Sequence, residues 1–144
     1  MRSSGGRTQE QALGRRLVHA DLLAMIEADQ RLGWRRRTGP LTLAVSLEPC
    51  LMCLGAAVAL GVNQIWYGLE SPSDGAAEVL TQWEPLQPGE EFARVPAIGG
   101  GILRHLCREQ FERYAAMAKN TGMRRWASNL ASLPEHRQHP PGGE

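Results

Sequence analysis

The chain has 144 residues, 42% hydrophobic and 22% charged, with 16 Lys and Arg against 15 Asp and Glu. That length suits one domain; the apolar fraction excludes a disordered chain, and 16 Gly with 9 Pro in no regular period exclude a fibre. A formal net charge of +1 gives no global electrostatic case for a nucleic-acid or membrane partner, and three cysteines are too few for a disulfide scaffold, which points to a reducing, cytoplasmic setting.

Met1 to Arg16 is polar and lacks the apolar core of a secretory leader. The most apolar stretch, Leu41 to Val62, is broken by Glu48 and Pro49 and falls short of the roughly 18 residues a membrane span needs. Residues 1–8 and 134–144 read as loose tails around a single domain over 9–131. Val18, Leu22 and Ile26, four apart, predict a helix over Leu17–Leu32 that Gly33 ends. Trp34 to Pro40 is a loop. Leu41, Leu43, Val45 and Leu47 alternate with small residues and predict a strand.

Pro49 then opens a helix where a proline costs least, and Cys50 to Leu60 is apolar all round, so this helix is expected to be buried. Gln64 to Leu69 predicts a second strand. Strand, helix and strand in this order make a βαβ unit with parallel strands. A short helix over Gly75–Trp83, a strand over Phe92–Ile98, a helix from Ile102 and a last helix around Met123–Leu130 follow. The Ile102 helix is expected to bury Leu103, Leu106, Cys107, Phe111, Tyr114 and Ala118.

Chemistry concentrates at the second helix start. Cys50 and Cys53 are three apart, which on a helix puts their Cβ atoms about 5–6 Å from each other on one face. Both sulfurs can then reach one ion at the ~2.3 Å zinc–sulfur distance. Unpaired amides and the helix dipole are expected to favour their thiolates. The best third ligand is His19, 31 positions before Cys50, with Asp21 two positions on. Residues two apart on a helix point roughly 200° away from each other, so both face one pocket only if the helix starts at His19. Three protein ligands leave a place for water, the pattern of a catalytic zinc, and a carboxylate beside it can relay protons.

These residues resemble a known family. His19-Ala20-Asp21 with Ser46 to Ala56, and above all Leu47-Glu48-Pro49-Cys50-Leu51-Met52-Cys53, resemble the zinc-dependent cytidine/deoxycytidylate-type deaminases. Within them the likeness is greatest to tRNA-specific adenosine deaminases and related bacterial nucleoside deaminases, with Trp66-Tyr67-Gly68 and Gly101-Ile102-Leu103 matching later elements. The resemblance implies a three-layer α/β/α domain with a mixed sheet. It implies one Zn2+ per chain on His19, Cys50 and Cys53, with Asp21 as the catalytic proton shuttle. Zinc-activated hydroxide would attack an adenine-type base, in tRNA or as a free nucleoside or base, within a homodimer; no DNA is expected.

Two departures stand out. The family has Glu where this chain has Asp21, one methylene shorter. The family also sets a helix and a β-hairpin before its histidine, which at average lengths need about 30 residues; His19 has 18 before it, so the helix and hairpin are expected to be lacking. A non-catalytic or degenerate zinc-binding subunit is therefore the alternative, and a redox Cys50–Cys53 pair a third reading. Cys107 reads as a core thiol, and His105, His136 and His139 as solvated. Trp34 to Arg37 and Arg124-Arg125-Trp126 read as charged surface before RNA contacts, and the residues that would grip a substrate are unknown.

Overall fold

Leu43, Val45 and Leu47 stand directly beside Ile65, Tyr67 and Leu69 on a parallel neighbour. The alternation that predicted the first strand is thus the inner row of a sheet. The computed structural model describes residues 15–34, 38–84, 86 and 94–135. Strand β1 is Thr42–Leu47 and β2 is Gln64–Leu69, the latter bounded as the sequence predicts. β3, Ala97–Gly99, lies parallel on the other side of β2, so the order is β1-β2-β3. The strand expected from Phe92 is shorter because Pro96 has no amide to extend the ladder, and its first two residues lie outside those described.

The sheet is expected to be mixed; among the described residues it is wholly parallel. The physical reason is the helical crossover between β1 and β2, which returns the chain in the same direction. An antiparallel partner would have to come from the hairpin that the family sets ahead of its histidine and that this chain is expected to lack; residues 1–14 lie outside the described part. Among the described residues no strand precedes His19.

Helix α1 is Ala20–Leu32 and α2 is Leu51–Leu60, closed by Gly61 in the left-handed conformation at φ 74°. With α3, Ala77–Gln82, they cover one sheet face. Met25, Leu43, Cys53, Leu54, Ala57, Ile65, Ala76 and Leu80 form that core. Full burial of Leu54 and Ile65 contributes about 1.5–3 kcal/mol each. Helix α2 is buried on one side only: Leu51 is 63% exposed and Gly55 and Ala59 share its outer stripe. Its apolar composition therefore overstated its burial.

Helix α4, Arg104–Met117, crosses the opposite face, where Cys107 meets Gly68 of β2, and α5, Thr121–Ala131, packs on α4. Phe111 and Trp126 join them edge to face, with centroids 5.5 Å apart. The inner face of α4 differs in part from the expected one. Leu103, Leu106 and Tyr114 are exposed; Ala118 is buried and Cys107 and Phe111 are half-buried as expected, and the helix also buries Arg104 and Ala115. Arg104 is drawn in by an ion pair with Glu70 and by the Pro134 carbonyl. No helix among the described residues is long and apolar enough to cross a membrane.

Candidate metal centre

α1 begins at Ala20, three residues later than its apolar spacing suggests, and His19 is the residue before it, extended at φ −64° and ψ 147°. That start is what reconciles His19 with Asp21. The histidine leaves the chain before the helical twist sets in, and Asp21 sits in the first turn. α2 begins likewise: Cys50 is its extended N-terminal cap and Cys53 lies in its first turn. Two helix starts therefore meet beside the carboxyl ends of β1 and β2.

His19 Nδ1 lies 3.6 Å from Cys50 Sγ and 3.7 Å from Cys53 Sγ, and the two sulfurs are 3.7 Å apart. A tetrahedral ion with zinc–sulfur bonds near 2.3 Å and zinc–nitrogen bonds near 2.0 Å sets its donors about 3.8 Å (S to S) and about 3.5 Å (S to N) apart. The donors fit one zinc ion to within about 0.2 Å. The sulfurs are far beyond the ~2.05 Å of a disulfide, and both cysteines are free. Among the described residues, His19, Cys50 and Cys53 are the group that could hold a metal.

Asp21 Oδ1 accepts from the Cys53 thiol at 3.1 Å and from the Leu22 amide at 3.1 Å. The expected lowering of the thiols fails at Cys53. Burial pushes this thiol far above the ordinary range, and the Asp21 carboxylate and the Cys50 thiol push it further the same way. In the metal-free protein these outweigh the helix dipole. A cation at the site reverses that balance, since a coordinating thiol gives up its proton.

Glu48 is a site residue that sequence reasoning passed over as part of the motif. It is 9% exposed, and its carboxylate accepts from the amides of Ser71 at 3.1 Å and Ala77 at 3.0 Å. No sequence signal marks those partners, which lie 23 and 29 residues away. Cys107 is partly buried under β2, away from the cluster, and His105 is exposed. Arg124 donates to the Ala118 carbonyl and Trp126 packs on Phe111, so both have structural partners. Trp34 is 90% exposed; Arg35 to Arg37, His136 and His139 lie outside the described residues.

Residues 2–69 match the family model for the cytidine and deoxycytidylate deaminase zinc-binding region. Over those residues, which include His19, Cys50 and Cys53, the chain is similar to a deaminase zinc-binding region. A tRNA-specific adenosine deaminase from Bacillus subtilis is 36% identical over 93 residues, 65% of this chain and 55% of that protein. A tRNA(Ile)-lysidine synthase from Deinococcus deserti is 38% identical over 97 residues, 67% of this chain but 17% of that protein. The chain thus spans about half the deaminase relative and about a sixth of the synthase. A solved structure from a study of A-to-I editing by tRNA:A34 deaminases superposes with a TM-score of 0.56 at 26% identity, covering 71% of each chain. The α/β fold is cytidine-deaminase-like.

Proposed function

We propose that this chain is the zinc-bearing part of a hydrolytic deaminase acting on an adenine-type base, with tRNA as the favoured carrier over a free nucleoside or base. The observation that carries the reading is the convergence of His19, Cys50 and Cys53 at zinc spacings with a carboxylate, Asp21, against the same cluster. The tRNA in the names of the relatives from both organisms supports the choice of carrier.

His19, Cys50 and Cys53 would hold the metal, three donors being the catalytic pattern. Zinc, when bound, supplies the Lewis acidity that makes water nucleophilic near neutral pH. Asp21 takes the proton from the attacking water and passes it to the departing amino group, so that one water is consumed, the amino-bearing carbon becomes a carbonyl and ammonia leaves. A cytoplasmic homodimer is the assembly proposed with it.

Asp21 also favours a second reading, a zinc-binding subunit without turnover, because the shorter carboxylate stays near its own backbone at the Leu22 amide. Ammonia release by zinc-loaded protein separates the two. Adenosine, adenine, guanine, cytidine and a tRNA transcript are the substrates, with Asp21→Asn as control. Release that Asp21→Asn abolishes supports the deaminase; folded, zinc-loaded protein that releases none from any substrate refutes it.

A further inference from the structure

Cys50 is, like His19, a partly buried member of the cluster, and it is the N-cap of α2 with no side-chain cap of its own. What fixes its backbone is a loop that arrives after β2. Gly75 pairs with Cys50 as an isolated antiparallel bridge, and the Ala76 amide donates to the Pro49 carbonyl at 3.1 Å. That loop is in turn wrapped around the carboxylate of Glu48. One oxygen accepts from the Ser71 amide where the loop opens, and the other from the Ala77 amide where it ends in α3. The approach is so close that a Cβ on Gly75 would lie 2.5 Å from Glu48 Cδ and 2.6 Å from the Ser71 carbonyl oxygen.

We infer that Glu48 is a positioning residue for the metal, holding Cys50 in ligating geometry by clamping residues 71–77 against it. This deepens the reading of the cluster as a zinc centre and rests on it. A carboxylate is required because both loop amides need an acceptor at once, and an ionised carboxyl offers acceptor oxygens only. Glutamine has the same shape but turns an NH2 toward one amide, freeing one end of the loop. Partners that orient a ligand from behind in this way typically carry 10–100-fold of metal affinity.

The test measures zinc affinity by competition with a chromophoric chelator, and the thiolate-to-cobalt absorption of the cobalt-loaded protein. Glu48→Gln, Glu48→Asp, Gly75→Ala and, as a distant destabilised control, Leu130→Ala in α5 are compared with wild type. Glu48→Gln and Gly75→Ala are expected to weaken zinc about 10–100-fold and to alter the cobalt–thiolate bands. Glu48→Asp, which keeps the charge, recovers part of the loss, and Leu130→Ala binds zinc as wild type does. Should Glu48→Gln not fold, Gly75→Ala carries the comparison, since it displaces the same carboxylate. Wild-type affinity and spectrum in Glu48→Gln, or an equal loss in Leu130→Ala, overturn the proposal. Weak zinc in Glu48→Gln beside wild-type protein that releases no ammonia leaves the clamp standing and the deaminase reading refuted. Ammonia release with unchanged zinc in Glu48→Gln does the reverse.

Discussion

Asp21 Oδ1 lies 3.1 Å from Cys53 Sγ while the same oxygen accepts from the Leu22 amide, so the carboxylate is folded back against its own helix start. A group held that close to the backbone has little reach into the space where a base would lie. Lengthening it by one methylene moves the oxygens outward by roughly a bond length, and misplacements near 1 Å can cost on the order of 10²-fold in rate. Asp21→Glu is therefore expected to raise ammonia release by roughly that factor, with zinc content unchanged. Single-turnover assays on zinc-loaded protein measure it; an equal or slower rate shows that Asp21 already reaches.

Metal removal tests the cluster as a tie between segments. His19 comes from the approach to α1, and Cys50 and Cys53 from α2. An ion that binds the folded chain and not the unfolded one stabilises it by mass action, by about 2.7 kcal/mol at a hundredfold excess over Kd. The melting temperature is expected to rise with free zinc and to fall on addition of a chelator, and His19→Ala is expected to abolish that dependence.

Cys107 occupies the space that a side chain on residue 68 would need: a Cβ built on Gly68 would stand 2.1 Å from its Sγ and 2.9 Å from the Ser46 carbonyl oxygen. Gly68→Ala is expected to destabilise the fold by about 1–3 kcal/mol, as overpacking does. Cys107→Ala removes the sulfur, so the double variant is expected to recover part of the loss, and denaturant unfolding of all four proteins gives the coupling. Burial also raises the Cys107 thiol above its ordinary value. The sign is fixed: less thiolate at a given pH means slower alkylation. Iodoacetamide labelling of zinc-loaded protein at mildly alkaline pH is expected to modify Cys107 more slowly in the native than in the unfolded chain.

Arg104 and Glu70 form a two-pronged ion pair, with side chains 8% and 18% exposed. Removing one partner strands the other, which costs about 3–5 kcal/mol for a buried pair. Arg104→Met is expected to lose about that much, and Arg104→Met with Glu70→Leu to lose much less, because the second change removes the stranded carboxylate. Urea midpoints of the single and double variants decide it.

These pairs show where sequence stops being informative. β2 was legible to the residue because Gln64 to Leu69 is a short apolar run between Asn63 and Glu70. The two cysteines were legible because a spacing of three puts both sulfurs on one face of a helix start, and His19 because His19-Ala20-Asp21 stands with them in the resemblance. The faces of α2 and α4 were not. Leu51, Leu103 and Leu106 have the right spacing for a core, but periodicity names a face without naming what covers it. Arg104 reads as surface until Glu70 and the Pro134 carbonyl are seen beside it. Glu48 was visible only as a letter in a motif, since its two amides arrive much later in the chain.

Arg104 has a further consequence through its second partner. Its Nε and Nη2 donate to the Pro134 carbonyl at 3.0 and 2.8 Å, across 30 residues of chain that hold all of α4 and α5. The bond latches that helical hairpin into a ring at its base, where it also meets the sheet through Glu70. A segment closed in this way opens as one cooperative unit. Amide protons inside α4 and α5 are expected to exchange with a common opening free energy, and to lose it together once the latch is cut.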